Sequence, residues 1–198
     1  MKASGVILAG GKSSRMKYNK AFAEIAGRSV INIIVDKFAR VFDEIIIISN
    51  EPQLYRELGP VVYTDIYPHM GPVSGIHSGL YHARHDQAFI MGCDVPFMNM
   101  ELVEFMFTQL DDYDSVVPEI DTYLQPLSAI YSKKCLPVLT NCLENNKVKL
   151  IRIFEELNSL ILNRNQLEKF GVVEELFLNV NDLEALNIAK QIAGRYQL

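Results

Sequence analysis

The chain has 198 residues, 49% of them hydrophobic and 22% charged, with a net charge of −5 and a pI near 5.4. That is ample apolar material for one core, and too acidic a balance to suit a nucleic-acid surface. No apolar run approaches the ~18 residues of a membrane-spanning helix, so neither nucleic acid nor membrane is expected as a partner.

The first residues lead straight into an apolar stretch, without the cationic region, apolar core and small-residue cleavage site of a secretory leader. Cys93, Cys135 and Cys142 are odd in number and scattered, with no zinc-ligand spacing. This fits a reducing cytoplasm. The histidines, His69, His77, His82 and His85, read as surface residues, with only His82 and His85 at a helical interval.

Val6 to Ala9 predicts a strand buried on both faces, because no polar residue alternates with the apolar ones. It opens into Gly10-Gly11 and then a basic loop with Lys12, Ser13, Ser14, Arg15, Lys17 and Lys20. Residues 21–27 predict a short strand and turn. Ser29 then caps a helix reaching Arg40, with Val30, Ile33, Ile34 and Phe38 at helical intervals. A second buried strand spans 44–49, a helix closed by Gly59-Pro60 follows, and a third strand runs from Val61 to Asp65.

Gly71-Pro72 opens a helix ending near Arg84, and residues 88–92 form a fourth strand that stops at Cys93-Asp94-Val95-Pro96. Asn99 caps a helix over 100–110. Strands over 115–118 and 126–131 come next, then helices over 134–145 and 149–157, a strand over 172–178 and a last helix over 182–195. Strands of continuous apolar residues alternating with helices specify an α/β fold, a mostly parallel sheet covered on both faces. No linker or repeat divides the chain, so residues 1–198 are expected to form one domain.

Such sheets bind ligands beyond the carboxyl ends of their strands, near a topological switch point. The first four strands end at Gly10, Asn50, Asp65 and Asp94, each able to contact a ligand. A buried strand opening into glycines and then cations suits a phosphate, since backbone N–H groups can approach an anion and the cations neutralise it. The loop follows neither GxxxxGK[ST] nor GxGxxG. Lys20 and Arg15 are the candidate catalysts by charge, and Lys20 is expected to be an exposed loop lysine. Asp94, set in a rigid turn, either holds Mg²⁺ beside phosphate oxygens or only satisfies the turn's backbone. Asp65 could accept two adjacent N–H donors of guanine, or only cap its turn. Asn50 is either a base contact or the cap of the next helix.

Leu8-Ala9-Gly10-Gly11, Ser14-Arg15-Met16 and Lys20 together resemble the signature L-A-G-G-x-[S/A]-x-R-M-G-x-D-K of nucleotidyltransferases, most closely the molybdenum cofactor guanylyltransferases of the MobA type. Lys17 and Asn19 stand where that pattern has Gly and Asp. Cys93-Asp94-Val95-Pro96 resembles the family's C-D-x-P. Asp65 with Gly71-Pro72-Val73-Ser74-Gly75 resembles its D-x₅-G-P-x-x-G, residues 125–129 its P-L-x-A-L, and residues 179–184 its C-terminal Asn motif, here with Leu183 in place of Pro.

The resemblance implies a Rossmann-like nucleotidyltransferase fold with nucleotide contacts at Leu8, Ala9, Gly10, Gly11, Lys20, Asn50, Asp65 and Asp94. It implies Mg²⁺ on Asp94, GTP and a molybdopterin substrate, and contact with other cofactor-biosynthesis proteins and molybdoenzyme apoproteins. Asn181 would lie by the metal or the pterin, or, paired with Glu184, merely form a capping box. A related transferase using another nucleotide or acceptor (molybdopterin cytidylyltransferase, or a sugar-phosphate or erythritol-phosphate enzyme) is the nearest alternative. A nucleotide-binding module without turnover is the one from another class. Leu8-Ala9-Gly10-Gly11 favours guanine, since cytidylyl relatives carry L-A-A-G.

Overall fold

The computed structural model describes residues 1–10 and 19–196. In chain order it contains β1 (Ser4–Leu8), the hairpin β2 (Glu24–Ile25) and β3 (Arg28–Ser29), α1 (Val30–Ala39), β4 (Glu44–Ile48), β5 (Val61–Tyr63), α2 (Gly71–His82), β6 (Gln87–Gly92) and α3 (Met100–Thr108). The second half adds β7 (Ser115–Ile120), β8 (Tyr123–Leu124), β9 (Ser128–Ser132), α4 (Leu136–Glu144), α5 (Leu150–Ile153), β10 (Ser159–Leu162), α6 (Arg164–Leu167), α7 (Val173–Leu176) and α8 (Leu183–Ile192).

The eight-stranded sheet runs β10-β7-β9-β6-β1-β4-β5, with β8 paired to β7. β1 lies parallel between β4 and β6, β5 is parallel to β4, and β10 is parallel to β7. β9 is antiparallel to both neighbours. The expected α/β sheet, mostly parallel and covered on both faces, is therefore present.

The alternation of side chains along each strand sorts the core into two layers. Ile7, Ile47 and Phe89 pack with Ile34 and Phe38 of α1 and Leu102 and Met106 of α3. Val6, Ile46 and Ile90 pack with Val73, Ile76 and Leu80 of α2 and Leu139 of α4. Each fully buried side chain of this size stabilises by about 1.5–3 kcal/mol. α2 lies close on β1 because its contact face is bare: a Cβ on Gly79 would stand 2.6 Å from Val6 Cγ1.

α1 leads from β1 to β4 over one face, and α2 leads from β5 back to β6 over the other. The chain therefore reverses its direction of travel across the sheet at β1, and the switch point lies between β1 and β6.

Several boundaries differ from the sequence reading, each for a local reason. Residues 21–27 become a 3-10 turn, Lys20–Phe22, and one strand of the β2–β3 hairpin. The helix expected over 50–59 is two 3-10 turns, Pro52–Leu54 and Arg56–Leu58. The strand expected over 172–178 is helix α7, whose spacing buries Val173 and Leu176 together. The missing edge strand is instead β10, which extends β7. His77 is buried rather than on the surface, and His82 stacks on Tyr63. α2 ends at His82, which leaves His85 off the helix.

Candidate active site

Because β6, β1, β4 and β5 are neighbours and parallel, their carboxyl ends form one row, in the order Asp94, Gly10, Asn50, Asp65. The strand ends are tied together. Ala9 N donates to Ile48 O at 2.9 Å and Cys93 N to Leu8 O at 3.1 Å. Leu8 packs on the α2 layer and Ala9 is buried, whereas Gly10 is exposed and a Cβ there would meet none of the described residues. Gly11 and Arg15, with the rest of 11–18, lie outside the described residues.

Asp94 sits at the switch point. Lys20 Nζ donates to Asp94 Oδ2 at 2.5 Å and to Asn181 Oδ1 at 2.7 Å. The Lys20 side chain is 21% exposed and that of Asp94 10%, so the lysine expected on an open loop is instead a half-buried ion-pair partner. Its position follows from the turn it opens, where Asn19 Oδ1 accepts from Ala21 N at 3.1 Å and Asn19 Nδ2 donates to the Tyr55 hydroxyl at 2.8 Å. Burial pushes the Tyr55 phenol up to about 12, so it stays protonated. Asn19, where the signature has Asp, uses its amide to donate, which a carboxylate cannot do.

Asn181 arrives from the far end of the chain. Val180 N donates to Asp94 O at 2.8 Å, docking the segment before α8 beside β6. Asp182, not Asn181, caps α8, its Oδ1 accepting from Ala185 N at 2.9 Å. The capping box of Asn181 and Glu184 is not formed, and this frees the Asn181 amide for Lys20. Asn179 turns away and bonds Phe177 O.

At the other end of the row, Asn50 Nδ2 donates to Asp65 Oδ2 at 2.8 Å, and Asp65 N donates to Asn50 Oδ1 at 3.3 Å. Asn50 is thus a partner of Asp65 rather than the cap of the turn after it. Among the described residues, Asp65 Oδ1 and Ser74 Oγ are buried without a hydrogen-bond partner. Burial holds the Asp65 carboxyl above its usual range, against the lowering effects of the Asn50 hydrogen bond, of His69 and of the nearby Ser74 hydroxyl, whose geometry falls short of a full hydrogen bond. Gly71, at φ +69°, lets the chain turn from here into α2.

Two residues of the site had no distinct signal in the sequence. A Cβ on Gly92 would stand 2.6 Å from Asp94 Oδ1, so the carboxylate occupies the space a side chain would take. Lys37, on α1, reaches the loop after Asp94. Among the described residues no cluster of three His, Cys, Asp or Glu could hold a metal. A groove of about 700 Å³ between α2 and α4, lined by Tyr67, His77, Tyr81 and Thr140, contains none of the predicted site residues.

The model of the MobA-like NTP transferase domain matches residues 5–160. The chain belongs to that family. It is a nucleotidyltransferase.

A relative in Clostridium perfringens strain 13, named "Probable molybdenum cofactor guanylyltransferase", is 40% identical over 192 residues, 93% of this chain and 94% of its own. The molybdenum cofactor guanylyltransferase of Desulfosudis oleivorans is 34% identical over 196 residues, 97% of each chain. In fold, the chain is similar to the crystal structure of molybdopterin-guanine dinucleotide biosynthesis protein A from Archaeoglobus fulgidus. The TM-score is 0.85 at 22% identity, covering 97% of this chain and 99% of the other. Among the described residues no helix is long and apolar enough to cross a membrane.

Proposed function

We propose that this nucleotidyltransferase acts in molybdenum cofactor biosynthesis, transferring GMP from Mg-GTP to the terminal phosphate of molybdopterin carrying molybdenum. The products would be molybdopterin guanine dinucleotide and pyrophosphate. The observation that carries the reading is the Lys20–Asp94–Asn181 cluster at the switch point of the sheet. The names of the relatives, guanylyltransferases matching almost the full chain, support the substrate pair. The reading takes residues 1–198 as a single nucleotidyltransferase domain in the cytoplasm, where its three free, buried cysteines would stay reduced.

The donor set fits Mg²⁺. Asp94 offers a carboxylate and Asn181 an amide oxygen, which here share the Lys20 ammonium and would take the metal as Lys20 turns to the phosphates, and Gly92 leaves the carboxylate room. Mg²⁺ takes one or two carboxylates and completes its shell with phosphate oxygens and water. When bound it would neutralise charge on the triphosphate.

The remaining work falls to the chain's own side chains. An oxygen of the acceptor phosphate attacks the α-phosphorus, and the bond to the bridging oxygen breaks. Pyrophosphate leaves with the electron pair. The acceptor is anionic near neutral pH, so no strong general base is needed. Lys20, with Arg15 from the basic loop, would stabilise charge building on the transferring and leaving groups. Leu8, Ala9, Gly10 and Gly11 would lie under the nucleotide, with no side chain at Gly10 to block its approach.

Asp65 would read the base once Asn50 yields Oδ2 and the buried Oδ1 is uncovered. Guanine offers a ring N–H and an amine side by side, and a carboxylate accepts both. Cytosine presents an acceptor at the matching edge. An unpaired polar group costs about 1–3 kcal/mol, which makes GTP preferred over CTP by roughly tenfold to a hundredfold in kcat/KM.

The test is a competition between equal Mg-GTP and Mg-CTP with molybdopterin, read by pyrophosphate release and product mass. Equal use would sink the guanine assignment, and no pyrophosphate from either would leave a binding module. A preference unchanged in Asp65→Ala would move base recognition elsewhere, with Asn50 next to examine.

A further inference from the structure

The segment joining Asp94 to α3 is buried from Val95 to Met98, so its backbone polar groups need partners inside the protein. Two of its carbonyls are met by one side chain from another element. Lys37 Nζ donates to Pro96 O at 2.7 Å and to Met98 O at 3.1 Å. Apart from the Lys20–Asp94 ion pair, the ties at the segment's two ends are neutral. Asp94 O accepts from Val180 N, Asn99 Oδ1 accepts from Glu101 N, and Asn99 Nδ2 donates to Phe170 O. An ammonium bonded to carbonyls makes charge-assisted hydrogen bonds, roughly twice as strong as neutral ones.

We propose that Lys37 is a positioning residue, its ammonium clamping the Pro96 and Met98 carbonyls so that the turn presents the Asp94 carboxylate to the metal-bound nucleotide. The inference rests on the reading of Asp94 as a metal ligand. Among the described residues the hydrogen bonds of Lys37 go to Pro96 and Met98 and not to Asp94, so it acts through the backbone two and four residues further on. A lysine held here is energetically costly. Burial, with Arg40 one turn on, pushes its ammonium down to about 8. An apolar side chain such as Met would cover the same groove beside Phe97 and Tyr196 without that cost. What only the cation supplies is a hold on two carbonyls at once.

The experiment compares the wild type with Lys37→Met and Lys37→Arg in the full chain, and includes Asp94→Asn. Hydrogen exchange of peptides over 93–99 reads the clamp. Free Mn²⁺, followed by its electron paramagnetic resonance in the presence of GTP, reads the site without turnover. Expected for Lys37→Met are faster exchange confined to 93–99 and Mn²⁺ affinity weakened by roughly three- to tenfold, less than the 10–100-fold of direct outer-shell partners. Lys37→Arg, which keeps a charged donor, should recover most of both.

Unchanged exchange at 93–99 would overturn the clamp. Faster exchange with unchanged Mn²⁺ affinity, while Asp94→Asn loses it, would make Lys37 a structural residue only. If Asp94→Asn itself keeps Mn²⁺ affinity, the metal reading fails and the proposal with it, recognisably so because Lys37 is intact in that protein. Should Lys37→Met not fold, Lys37→Gln, which still donates to one carbonyl, takes its place.

Discussion

The two ends of the strand-end row carry carboxylates in opposite states. Asp94 is ion-paired at 2.5 Å, with Asn181 sharing its lysine and Gly92 leaving it room. Asp65 has a neutral amide on Oδ2 and, among the described residues, no hydrogen-bond partner on a buried Oδ1, with the Ser74 hydroxyl and His69 close enough to favour its charge. The first end is built to hold charge in place, and the second keeps acceptor capacity unspent. Phosphate chemistry needs fixed charge, while base reading needs free hydrogen-bonding edges. On the proposed reading the same fold would supply both, because β6 and β5 end on the same edge, with two strands between them.

If that contrast is right, damage at the Asp94 end should abolish turnover. Asp94→Asn keeps the side chain's size but discards its charge, so metal-dependent turnover should fall by two to three orders of magnitude, ~3–4 kcal/mol of barrier. A protein that kept its magnesium requirement and lost only melting temperature would mark Asp94 as a turn former.

Lys20→Ala should cost roughly a hundredfold in kcat. Because Asp94 would be left in a mostly buried position without its cation, stability should also drop by roughly 1–3 kcal/mol. Thermal unfolding checks the second half. A normal melting point with lost turnover would point to a Lys20 freely exposed in solution, as the sequence alone implies. Gly92→Ala comes next, since the new methyl would push the Asp94 carboxylate aside without changing any charge. Displacements of about 1 Å can cost on the order of a hundredfold, so a tenfold to hundredfold fall in kcat is expected, and a threefold change or less would make the contact irrelevant.

What was legible beforehand follows the range of the interactions. Strands β1, β4, β5 and β6 announce themselves by short-range patterning, and their ends gave Gly10, Asn50, Asp65 and Asp94 directly. The order along the sheet was not in the pattern, because pairing is decided by contacts between distant segments. Asn181 shows the same limit. A capping box with Glu184 is a sound local reading, but Asp182 takes the cap and Lys20, 161 residues away, takes Asn181. Val172–Leu178 failed for another reason: its valines and phenylalanine favour a strand, but the i, i+3 spacing of the buried Val173 and Leu176 is helical. Lys37 looks in sequence like any polar residue on an amphipathic helix, and only the loop folded beneath it gives it partners.

The smallest expected effect belongs to Asp65, where the contrast predicts opposite signs for activity and stability. The folded protein raises the Asp65 carboxyl pKa, chiefly by burial, so ionised Asp65 is less favourable folded than unfolded. Its contribution to stability is then greatest below the ordinary carboxylate range and is lost as pH rises through the raised value. Above that raised value the cost is fully present. Asp65→Asn removes that charge while its amide oxygen can still accept from Asn50. It should melt higher than wild type near pH 7, on the order of 1–2 °C, and the advantage should shrink as the pH is lowered toward the carboxylate range. The same amide offers one acceptor and one donor where guanine needs two acceptors, so the preference for GTP over CTP should fall about tenfold. Melting curves across pH and the competition assay check the two signs. A variant that melts lower at pH 7 and keeps its nucleotide preference would make Asp65 a structural partner of Asn50, and base recognition would have to be sought at another strand end.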